Sequence, residues 1–198
     1  GATMPLRLSG LTQFLFADRN LGPREADHAV SLADRLAQGV DIRLGGAMGH
    51  RPREAATHIL GPSIVDRRIL LVAEPRSSIQ THLGWLDQNT RGVYAYGTPA
   101  QAVAAAAVSG DPTVLIVDID MFVNVHVALD VLSTQRQHAP NQVTVIASER
   151  FTMHDMSCER AAIADASIRL PVSRPELALA LGAAVSNNGF IRGRGRLN

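Results

Sequence analysis

From residue 68 to about residue 185 the chain alternates two hydrophobic patterns. Five short runs rich in β-branched residues, RILLVAE (68–74), GVYAYG (92–97), TVLIVDID (113–120), QVTVIAS (142–148) and ASIRL (166–170), carry apolar side chains in near-continuous succession. That pattern predicts strands buried on both faces rather than on one. Between and after them lie segments of helical periodicity: SSIQTHLGWLDQ (77–88), TPAQAVAAAAVSG (98–110), NVHVALDVLSTQRQ (124–137), MHDMSCERAAIA (153–164) and SRPELALALGAAV (173–185). Ser77, Thr98 and Ser173 stand where N-caps are expected, and Pro99 and Pro175 fall in first turns, where a missing N–H costs nothing. Strand and helix in strict alternation predict an α/β fold, a doubly wound (βα)5 parallel sheet with helices on both faces, because right-handed crossovers must pack back onto the sheet. Ligands of such sheets bind beyond the carboxyl ends of the strands.

Residues 1–67 break this rhythm and are expected to form an N-terminal helical extension and linker. LTQFLF (11–16) and READHAVSLADRLAQGV (24–40) predict two helices, the second with an apolar stripe at Ala29, Val30, Leu32, Ala33, Leu36 and Val40. Two short helices bury too little surface to stand alone, so they are expected to dock on the α/β domain or on a second chain. Gly1 to Thr3, before Met4, read as an expression remnant. The domain proper is expected over 68–186 and a flexible tail over 187–198, where Gly, Asn and Arg dominate.

Composition narrows the chemistry. No apolar run approaches the roughly 18 residues of a membrane span, and no secretory signal layout opens the chain, so a cytoplasmic location is expected and membrane contact is not. A net charge of +1 gives no general attraction to nucleic acid. The lone Cys158 excludes an intramolecular disulfide and a Cys-rich zinc site. All 19 basic residues are Arg. With no lysine in the chain, a Schiff base, a P-loop lysine and a kinase lysine are all excluded.

Four oxygen-bearing side chains fall at the carboxyl ends of the expected strands: Glu74, Asp118, Asp120 and Ser148. Clustered carboxylates repel one another unless a cation neutralises them, and an all-oxygen set suits Mg²⁺. Over about 115 residues the chain resembles the receiver domain of two-component response regulators. RILLVAEP matches the opening strand, VLIVDIDM the third, VTVIAS the fourth and SIRLPVSRPEL the fifth with its helix. The spacings agree: Glu74 and Asp118 are 44 apart, Asp118 and Ser148 are 30 apart, and Asp118 and Leu170 are 52 apart. The resemblance implies a flavodoxin-like sheet of strand order 2-1-3-4-5. It also implies Asp118 as phosphoacceptor, Ser148 as the phosphate-binding hydroxyl, and a metal site of Glu74, Asp118 and the backbone carbonyl of Asp120 holding Mg²⁺. A histidine kinase or phosphotransfer protein would be the donor, and a downstream signalling protein the target.

The departures are specific. Ala73 stands where the family has the first acid of its opening pair, Leu170 where it has a lysine before Pro171, Ser167 where it has an aromatic residue, and Phe122 where it has a proline. Losing the lysine removes a charge-assisted contact of about 1.5–3 kcal/mol. Arg169 cannot stand in, since neighbouring strand residues point to opposite faces, and Leu170 is expected to aim an apolar side chain at the pocket. With one acid gone as well, metal affinity should fall. Apolar Phe122, Val123, Val125 and Val127 are expected to crowd the rim, either closing the pocket or offering a partner an apolar surface.

Other features carry less. His154 and Cys158, four apart on an expected helix, make only two ligands; His126 and His138 read as surface residues and Trp85 as core. GGAMG (45–49) lacks the strand and acid of a dinucleotide loop, and the RGRGR tail reads as a solvated end. The expectation is an atypical receiver, not an enzyme, signalling by protein contact and self-association as a homodimer. The alternative is a phosphorylation-independent pseudo-receiver scaffold.

Overall fold

The computed structural model describes residues 42–43 and 60–195. The helices expected over 11–16 and 24–40 and the GGAMG segment lie outside them. In chain order the elements are β1 (Ile42–Arg43), α1 (Pro62–Val65), β2 (Arg68–Val72), a 3₁₀ turn (Ser78–His82), α2 (Leu83–Asn89), β3 (Val93–Ala95) and α3 (Pro99–Ser109). Then follow β4 (Thr113–Asp118), a 3₁₀ turn (Ile119–Met121), α4 (Val125–His138), β5 (Val143–Ser148), β6 (Ala166–Arg169) and α5 (Arg174–Gly195).

The sheet runs β1-β3-β2-β4-β5-β6. Strands β2 to β6 pair in parallel, which is the expected 2-1-3-4-5 order, a flavodoxin-like α/β fold. Strand β1 was not foreseen: Ile42 and Arg43, inside the expected helical extension, pair antiparallel with β3 at that edge. Every residue of β2, β4 and β5 is buried, because their alternate side chains feed two separate cores. Ile69, Leu71, Ile116 and Val145 pack with α1, α2 and α5 through Ile64, Leu86, Leu177 and Leu181. Leu70, Val72, Leu115 and Val117 pack with α3 and α4 through Ala102 and Leu132.

The helix ends follow local chemistry. Thr98 Oγ1 accepts from the Gln101 amide while the Gln101 side chain accepts from the Thr98 amide, a reciprocal capping box before Pro99. Gly110, at φ 67°, closes α3 in the left-handed conformation. Asn124 caps α4 and the Ser173–Glu176 pair opens α5. Ser77 makes no capping bond, and a 3₁₀ turn replaces the start of the expected helix.

Two expectations fail outright. Residues 153–164 form no helix. Asp155 Oδ1 accepts from both the amide and hydroxyl of Ser157, and Ser157 Oγ accepts from the Glu159 amide, local bonds that compete with helical pairing. The backbone of Asp155 instead bridges Ser167 on β6 through bonds of 2.8 and 2.7 Å. At the other end, α5 runs on through residues 187–195, read from sequence as tail. Asn187 Nδ2 donates to the carbonyls of Met156 at 2.9 Å and Asp165 at 2.8 Å, which fastens that stretch to the domain. Among the described residues no helix is long and apolar enough to cross a membrane.

Candidate functional site

Strand β4 delivers Asp118 to the carboxyl edge of the sheet, one register step from the end of β5 (Asp118 opposite Ala147), so that Ser148 follows alongside. Both are buried, at 5% and 1% exposure. Asp118 borders an open, mostly polar cavity of about 250 Å³ lined also by Glu74, Arg76, Ser77, Asp120, Met121, Glu149 and Arg150. The structure therefore brings Glu74, Asp118 and Asp120 to one hollow, with Ser148 touching it through Asp120.

Asp118 Oδ1 accepts from the Asp120 amide at 3.0 Å. Burial pushes its carboxyl above the ordinary carboxylate range, the nearby Ser77 hydroxyl and the Asp120 amide pull it back, and the Asp120 charge adds to the rise. Ser77 Oγ faces Asp118 without a bond of good geometry and is buried with no other partner. Asp120 is differently placed. Its Oδ1 accepts from the Ser148 hydroxyl at 2.8 Å and lies 3.5 Å from Arg150 Nε; its Oδ2 accepts from the Glu149 amide at 2.7 Å. Ser148 Oγ in turn accepts from the Arg150 amide at 3.0 Å.

The resemblance implied Asp120 as a carbonyl donor; here its side chain is a hub that ties the end of β4 to the end of β5. Two of the roughly four acceptor positions of that carboxylate are taken by hydrogen bonds, and the Arg150 guanidinium stands beside Oδ1 as an ion pair. Glu74 is exposed, its backbone carbonyl accepting from Ser77 and Gln80. Among the described residues no group of three or more His, Cys, Asp and Glu side chains is placed to hold a metal ion. With the Asp120 carboxylate bonded to Ser148 and the Glu149 amide and facing Arg150, and with Glu74 exposed, the hollow as it stands fits a divalent cation poorly, and no step below is routed through one.

Leu170 does not face the cavity. It is 2% exposed and belongs to the core with Leu177 and Val172, since an apolar side chain at that strand end gains more from the α5 interface than from a polar hollow. Arg169 turns away as expected, donating toward the Thr152 carbonyl at 3.4 Å. The apolar rim does not close the hollow: Phe122 packs on the α3–α4 core, Val123 is 94% exposed, and Val125, Val127 and Leu129 are exposed along α4. Cys158 is exposed and off any helix, while His154 accepts from the Arg169 amide through Nδ1 and faces Glu176 at 3.3 Å through Nε2, so the pair forms no ligand set.

Sequence reasoning missed Arg76, Ser77 and Arg150 as pocket residues. The signal was available for the two arginines: each sits two residues past a strand-end residue already singled out, Glu74 and Ser148.

No family model matches the chain, and no curated protein does. Among solved structures, a response regulator receiver domain protein (CheY-like) from Methanospirillum hungatei JF-1 is similar at 16% identity and a TM-score of 0.44, over 63% of this chain and 97% of that one. A response regulator receiver domain protein from Clostridium thermocellum is similar at 16% identity and a TM-score of 0.42, over 63% of this chain and 98% of that one.

Proposed function

We propose that the described α/β unit is an atypical receiver-like signalling module whose input is the Asp118 pocket and whose output is contact with other proteins. The observation that carries this reading is a buried carboxylate at the end of a central parallel strand, opening onto a polar hollow beside a buried hydroxyl at the next strand end. In the reaction, an ionised Asp118 oxygen attacks the phosphorus of a donor phosphohistidine or acyl phosphate. The P–N or P–O bond to the leaving group breaks with its electron pair, and an aspartyl phosphate forms. A histidine kinase or phosphotransfer protein is the proposed donor. A downstream signalling protein and a second copy of this chain are the proposed partners.

The pH dependence follows from burial. The attacking carboxylate must be ionised, and its pKa is raised, so phosphoryl uptake falls away on acidification at a higher pH than an ordinary aspartate would give. Incubating the chain with a small acyl phosphate and weighing it intact is the test. The expected result is a gain of one phosphoryl group that Asp118→Asn abolishes.

A second reading, a phosphorylation-independent scaffold, is favoured by two contacts. The Ser148 hydroxyl is committed to Asp120, and the lysine position is a core leucine. No mass gain at any donor concentration would select it.

A further inference from the structure

The resemblance brings with it a divalent cation that neutralises the carboxylates of the pocket, yet the donor set does not fit one. Something else must offset the charge around Asp120. Arg150 Nε lies 3.5 Å from Asp120 Oδ1, on the oxygen that also accepts the Ser148 hydroxyl, while Oδ2 is closed by the Glu149 amide. The amide of Arg150 itself donates to Ser148 Oγ, and that hydroxyl donates to Asp120 Oδ1, so the arginine backbone is tied through Ser148 to the carboxylate whose charge the side chain balances. Its side chain remains 74% exposed and lines the same cavity as Asp118. A guanidinium is charged at every accessible pH and is more weakly hydrated than an ammonium, which suits it to stay beside a carboxylate.

We propose that Arg150 is the resident counter-cation of the Asp118 pocket and takes the place of a divalent metal, leaving the pocket indifferent to Mg²⁺. A metal entering would have to displace a guanidinium, a hydroxyl and an amide from one carboxylate while finding only the exposed Glu74 and the singly bonded Asp118 as further anionic donors. The inference refines the cofactor requirement of the proposed function, but its test involves no phosphodonor, so either can fail while the other stands.

The experiment titrates the full chain with Mg²⁺ alone and follows the unfolding midpoint and calorimetric heat. The signal counted is the part abolished by Asp118→Asn/Asp120→Asn, which removes contributions from elsewhere. The wild type should show no such Mg²⁺-dependent rise. Arg150→Ala should acquire a saturable one, because freeing Asp120 restores an anionic hollow, and Arg150→Lys should stay refractory because the charge is kept. A saturable rise in the wild type would overturn the proposal. So would an Arg150→Ala variant as refractory as the wild type, since Arg150 would then not be what keeps metal out.

Discussion

Two buried carboxylates, Asp118 and Asp165, show what separates a strut from a site. Asp165 is 0% exposed and has a full complement of partners: Arg136 Nη2 at 3.0 Å, the Thr144 amide at 2.8 Å and the Asn188 amide group at 3.3 Å. It joins the end of α4, the start of β5 and the latter half of α5. Asp118 is almost as buried but receives one backbone amide, sits near a second acid, and opens on a cavity. A buried charge that is fully paired holds elements in place; one that is held back from full pairing keeps reactivity available, at a cost to the fold.

The comparison breaks most sharply at Asp165. Asp165→Ala should leave Arg136 charged and largely buried without a counter-charge at Asp165, held only by the Pro140 and Gln142 carbonyls, for a loss of about 3–5 kcal/mol measured by urea unfolding. A loss under half of that would mean the ion pair is not the clamp described. Next, Asn188→Ala removes donors to a charged acceptor and should cost about 1.5–3 kcal/mol, with earlier proteolysis of residues 187–195 as a second readout. The smallest effect has the opposite sign. The folded-state pKa of Asp118 is raised, so its contribution to stability is full below the ordinary carboxylate range and is lost as pH rises through the folded value. Asp118→Asn should therefore raise the unfolding midpoint at neutral pH, and the advantage should vanish in acid. A midpoint that falls at neutral pH would place Asp118 with Asp165 as a structural acid.

Much of this was legible because buried parallel strands announce themselves. LLV, VLIV and VTVIA are apolar in almost every position, and Asp118 and Ser148 close their strands while Glu74 follows two residues past the first. The cap at Thr98 was equally plain. What failed was decided by contacts distant in sequence or by competing local bonds. AAIA within 153–164 reads as helix, but Asp155 and Ser157 fold the segment on itself and Ser167 captures it as a bridge. The polar SNNG of α5 reads as a loop until its two asparagines find the Met156 and Asp165 carbonyls and the Asp165 carboxylate. Leu170 was read as a lost phosphate reader, whereas its burial makes it a core residue. Ser77, read as a cap, turned out to face Asp118.

The bridge from Asp155 to Ser167 also bears on how this molecule meets others. On β6, the outward amide of Ser167 is taken by Asp155 and that of Arg169 by His154, so the flank that would template an incoming strand is already occupied from within the chain. Copies of this protein that associate along that border must therefore do so by side-chain surfaces and not by continuing the sheet from one molecule into the next.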